Sequence, residues 1–240
     1  MIREKGESQL RRILFPFKIC SLLMLVLFVL SSCGAPTDPL LKLKAKLDRE
    51  PEYSIILDDM KEEGTFFRSY YHKYRTIKGD SSNVTDWEQV SEEIYRKRGA
   101  FLGLALITKA KDGQYAQTPA PPGYHMVGNP AYGEWRRDAS GNSFWEFYGK
   151  YRLFSDLLGA GSMIFRRDYN DYHQYRERQQ PYFGRNKEFG TSGHYTERTN
   201  PSFFERRRAK IEMSKSKFAQ RVASKAGRSS GSFRGGGGSF

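Results

Sequence analysis

The chain predicts an α+β fold, and three features point there. Two strand-like runs, residues 53–57 and 65–77, flank the polar segment 58–64. Apolar and aromatic residues recur at helical spacing between residues 143 and 158. The formal charge is zero over residues 33–163, but +3 over 1–32 and +10 over 164–240. Basicity therefore belongs to the two ends, and a neutral body lies between them. The expectation is one small domain over 38–163, with a short antiparallel hairpin or sheet and an aromatic-faced helix. A basic, largely disordered tail over 164–240 follows it. A mean hydropathy of -0.71 is low for a wholly packed chain, while 15% aromatic residues are ample for a core.

The N-terminal element comes first. Arg3, Lys5, Arg11, Arg12 and Lys18 precede an apolar run over residues 19–30. A basic segment followed by roughly 7–15 apolar residues has the form of a secretory signal peptide. The run is well short of the about 20 residues that a spanning helix needs. It ends in Leu30-Ser31-Ser32-Cys33, followed by Gly34. This resembles the lipobox of bacterial lipoproteins: an aliphatic residue, two small residues, then cysteine. The resemblance covers residues 1–34 alone. It implies cleavage between Ser32 and Cys33, a diacylglycerol on the Cys33 thiol, and tethering of the mature chain to the bacterial envelope. Two or three acyl chains hold a protein stably where one is marginal. Gly34, in place of Asp, implies the outer membrane if the envelope is of the enteric type. An uncleaved signal-anchor helix and a simple cleaved secretory signal are the alternatives. Cys20 lies in the apolar run, so the body has no cysteine for a disulfide or a Cys-type zinc site.

Residues 33–37 read as a spacer. Leu40, Leu41, Leu43 and Leu47 then predict a short helix that ends before Pro51. The runs 53–57 and 65–77 predict a hairpin around a polar turn. Apolar positions 87, 90, 94 and 95 predict a helix over 87–97, capped by Thr85 or Asp86. Residues 101–108 read as a buried strand. Ser143 to Glu146 has the capping-box pattern, so a helix over 143–158 is expected, closed by Gly159. Its aromatics would form the core or line a groove for a glycan or peptide.

The tail interleaves tyrosines with arginines, a composition that favours poorly ordered chain. Within it, Asn200-Pro201 predicts a helix start, and Phe204, Ile211, Phe218 and Val222 recur at seven- or four-residue spacing. A basic amphipathic helix over 201–225 results, with Arg206, Arg207, Arg208, Lys210, Lys215 and Lys217 as expected contacts to an anionic partner. Export argues against nucleic acid. Anionic lipid, lipopolysaccharide, a wall polymer or an acidic protein are the expected partners.

No catalytic or metal motif stands out. His72, His125, His173 and His194 show no metal-ligand spacing, and no G-x-S-x-G elbow or phosphate loop is present. No cofactor is therefore expected. Asp58/Asp59 and Glu62/Glu63 read as solvated charge in the hairpin turn. The leading expectation is a non-enzymatic envelope lipoprotein with a binding or structural role. An envelope hydrolase acting on wall or glycan, and a ligand-binding lipoprotein serving a transporter, are the alternatives. Replacing Cys33 with Ala removes the acyl acceptor. The variant is expected to lose fatty-acid label and to leave the membrane fraction, and unchanged labelling and fractionation would contradict the lipobox reading.

Overall fold

The structure, a computed structural model, describes residues 38–159 and 163–230, with side chains to residue 225. Ser32, Cys33, Gly34 and the spacer 33–37 lie outside the described residues. The fold is α+β. Helix α1 (Pro39–Leu47) is capped by the Asp38 side chain, which accepts the Leu40 N–H at 3.0 Å. Strands β1 (Tyr53–Glu63) and β2 (Ser69–Lys78) form the expected hairpin, paired from Ser54↔Ile77 to Glu63↔Ser69 with a one-residue register shift at Asp58. The turn lies further along than the polar residues suggested. Asp58, Asp59, Glu62 and Glu63 sit in β1, and residues 64–68 make the loop. Pairing with β2 continues through the acids to Glu63, and Asp58, Asp59 and Glu62 are met there by Arg75, Arg206 and Lys210.

The outer edge of β2 carries two short strands, β3 (Ser81–Val84) and β4 (Glu88–Val90). The helix expected over 87–97 is therefore corrected. Its first residues pair with β2 at Tyr70, Tyr71 and His72, and only α2 (Glu92–Lys97) is helical. Ser91, not Thr85 or Asp86, caps it by accepting the Ile94 N–H. Strand β5 (Ala105–Lys109) pairs with β1 on its other side, and β6 (Tyr115–Ala116) closes that edge.

A second sheet comprises β7 (Gly133–Arg137), β8 (Ser143–Phe147) and β9 (Ile164–Phe165). The helix expected over 143–158 is thus half strand. Ser143 to Phe147 pair with β7, a short 3-10 turn spans Gly149–Tyr151, and α3 (Arg152–Leu158) completes the segment. The capping-box reading of Ser143 and Glu146 falls with it. Glu146 instead accepts from Arg136 across the strand pair at 2.6 Å. Gly159 does end α3.

Packing does not stop at residue 163. Helix α4 (Arg166–Glu177) and the chain after it bury Tyr172, Tyr182 and Phe189 in one aromatic cluster with Tyr124, Tyr132, Trp145 and Phe154. Helix α5 (His194–Thr199) follows. Helix α6 (Pro201–Ser230) then sets Phe203 and Phe204 into a second cluster with Leu40, Leu47, Ile55 and Leu57. The disorder expected from residue 164 onward is corrected for this stretch. Tyrosine buries a large ring, and the Tyr172 hydroxyl is matched by His125 Nδ1, so few aliphatics are needed. Tyr172→Ala is expected to lower stability by about 3 kcal/mol in chemical denaturation, whereas a true tail residue would tolerate it.

Candidate functional site

Helix α6 is the most distinctive feature of the described surface. At 30 residues it is about 45 Å long. Asn200 Nδ2 donates to the Asp58 carbonyl at 2.5 Å, and Ser202 Oγ lies 3.3 Å from the Asp59 carboxylate. Further on, Arg206 Nη2 reaches Asp59 Oδ1 at 2.6 Å, and Lys210 pairs with Glu62. These partners advance together, so α6 runs alongside β1 in the same direction. The carboxylates of β1 are the counter-charges that dock the helix root.

The expected anionic contacts therefore divide into two sets. Arg206 and Lys210 are bound to β1, Arg208 to Glu197 at 2.9 Å, and Arg207 to the Thr191 carbonyl at 3.1 Å. Lys215 pairs with its helix neighbour Glu212 and with no other acid among the described residues. Lys217 has no acidic partner within 4 Å among the described residues. Arg221 and Lys225 belong with this distal set, although the sequence reading did not single them out. They escaped notice because the Arg206-Arg207-Arg208 run draws attention to the root.

At 100° per residue, Phe204, Ile211, Phe218 and Val222 fall within about 20° of one line. Phe204 is buried against the sheet, but Ile211, Phe218 and Val222 are exposed, Phe218 at 65%. The face that packs on the domain thus continues past the domain's edge with nothing beneath it among the described residues. Lys215 and Lys225 lie within about 40° of that line, one on each side. No helix among the described residues is long and apolar enough to cross a membrane.

Two clefts are the other candidates. One, of about 290 Å³, is lined by Tyr124, Arg167, Asp168, Arg185, Glu188 and Arg198 among others. Its acids serve the fold: Asp168 accepts the Phe165 N–H at 3.2 Å, and Glu188 accepts both the backbone and the side-chain N–H of Asn186. The second, of about 200 Å³, is lined by His125, Tyr169, His173 and Arg176 among others. There His125 Nδ1 lies 2.5 Å from the Tyr172 hydroxyl. Burial, reinforced by Arg176, holds His125 down at about 3, and burial pushes Tyr172 up to about 12. Neither group changes charge near neutral pH, the condition that suits general acid–base work. Among the described residues no group of three or more His, Cys, Asp or Glu is placed to hold a metal ion.

The remaining histidine cluster is structural. His72 is fully buried, with Nδ1 at 3.0 Å from Tyr74 Oη. Arg98 donates to Tyr74 Oη at 3.3 Å and forks onto both oxygens of Asp38, at 2.7 and 2.5 Å. Burial alone would raise the Asp38 carboxyl, but Arg98 outweighs it and holds the group below the usual carboxylate range. Burial, helped by Arg98 and opposed by Asp38, lowers His72 to about 4.

Compared with protein-family models, curated proteins and solved structures, the chain matches none. His72 and His125 nevertheless yield a pH prediction. Unfolded histidine titrates at about 6.5, so below that pH the unfolded chain takes up protons that the folded chain refuses. Stability is expected to fall from about pH 6.5 downward, through the folded values of His72 and His125, by up to about 1.4 kcal/mol per pH unit for each histidine. Urea midpoints at about pH 7 and about pH 4.5 check this, and equal midpoints would contradict it.

Proposed function

We propose that this chain is a lipid-anchored bacterial envelope protein with a non-enzymatic role, and that α6 engages an anionic surface. The observation that carries the reading is the distal half of α6: an exposed apolar line of Ile211, Phe218 and Val222 bracketed by Lys215 and Lys225, with Arg221 about 80° round the helix. A helix with this arrangement lies in an interface, its apolar line buried and its cations among anionic groups. The root is excluded from that role because its cations already neutralise Asp59, Glu62 and Glu197. Lipid on Cys33 would supply the first attachment and α6 the second, which raises the local concentration of the helix at the surface.

The test uses the chain from residue 33 onward with Cys33→Ser, which carries neither signal nor lipid. It is expected to co-sediment with vesicles rich in anionic lipid and to be released as salt rises. Lys215→Glu, Arg221→Glu and Lys225→Glu together are expected to weaken that association about tenfold or more. Binding that ignores both salt and charge reversal would sink the proposal.

A further inference from the structure

The loop 64–68 that joins β1 to β2 ends in an unusual surface. Phe66 and Phe67 are 94% and 92% exposed, side by side at the tip of the longest hairpin. The turn is built for this shape. Gly64 sits at φ +90°, and a Cβ there would collide with the Phe67 carbonyl oxygen. Below the tip lie charged and aromatic side chains. Lys61 Nζ, paired with Glu63 at 2.6 Å, lies 5.1 Å from the Tyr71 ring and 4.5 Å from that of Trp87, and Arg68 reaches toward Glu62 at 4.0 Å. An apolar point above Tyr, Trp and charge-balanced side chains matches the depth profile of a membrane interface. It is convex and has no rim of its own, so it fits a deformable lipid layer better than a preformed protein pocket.

Two parts of the chain lie toward this same end. Helix α6 advances along β1 from Asp58 to Glu62, so its exposed line emerges beside the loop. Helix α1 runs the opposite way. Its start is held through Arg98 and Tyr74 to the level of His72, and its end through Lys109, which donates to the Asp48 carbonyl, to the level of Tyr53. The chain therefore enters the fold on the tip side, at a level four strand residues, or roughly 14 Å, below Arg68.

From this we infer that the surface met by α6 is a lipid bilayer, and that Phe66 and Phe67 form a second wedge inserted into its headgroup region. The inference rests on the reading of α6 and Cys33 above, and it names the partner: lipid, rather than wall polymer or acidic protein. The wedge and the helix would together fix which side of the domain faces the membrane.

The test uses the full chain, purified from membranes and reconstituted by its own anchor into vesicles containing phosphatidylglycerol. Phe66→Cys and, separately, Phe218→Cys carry an environment-sensitive fluorophore. Cys33 is blocked if lipidated, and its labelling would expose failure of the anchoring reading directly. The expected result is a blue shift at both positions and loss of most of the intensity with brominated lipids. A solvent-like signal at position 66 with an inserted signal at 218 would overturn the wedge and leave the reading of α6 standing. Solvent-like signals at both positions would overturn both.

Discussion

Strand β1 is buried over residues 53–57 on both of its faces, and a strand in that position needs two covering layers. Ile55 and Leu57 face the cluster built by α1 and the root of α6, while Ile56 faces the aromatic cluster of the second sheet, α3 and α4. Neither layer is optional, because the core of each is completed by chain from beyond residue 163. Tyr172, Tyr182 and Phe189 close one side, and Phe203 and Phe204 close the other. The basic C-terminal third is thus packed on the fold until about Lys210 and exposed after it. That division is drawn by the acids of β1, which capture the first cations of α6 and leave the later ones to solvent.

Much of this was legible in the sequence where a pattern had one physical cause. The hairpin showed itself through β-branched and aromatic residues around a polar segment, and α1 through its leucine spacing and Pro51. The start of α6 followed from Asn200-Pro201, and its apolar line from seven-residue repeats. The segment 143–158 misled because its aromatics satisfy two periods at once. Trp145 and Phe147 alternate in β8, and Tyr151, Phe154 and Leu158 follow at helical steps. Read continuously, the two pieces imitate one helix. What decides between them is Trp135, whose ring meets that of Trp145 across the β7–β8 pair at 5.2 Å. A partner strand ten residues away carries that information, and local periodicity does not.

The candidate site was only half visible for a related reason. Charge counting locates cations but not the acids that face them in the fold. Arg206 and Lys210 looked as available as Lys217 until β1 was placed beside them. Phe66 and Phe67 were missed altogether, because two phenylalanines inside a strand-like run read as core. Only the position of the turn, set by Gly64, puts them outside.

The pairing of Arg98 with Asp38 has a mechanical meaning as well as an electrostatic one. Residue 38 is where tension applied to the N-terminal chain would first meet the fold. There the load passes to a two-pronged ion pair, part-buried at 15% and 16% exposure, and then along the axis of α1. Because α1 runs away from the tip, a pull toward the tip drags it lengthwise, so Leu40 and Leu47 must slide together rather than peel off one after another. Resistance to such force is a matter of unfolding rate rather than equilibrium stability, and a shear geometry of this kind unfolds slowly under a pull at residue 38.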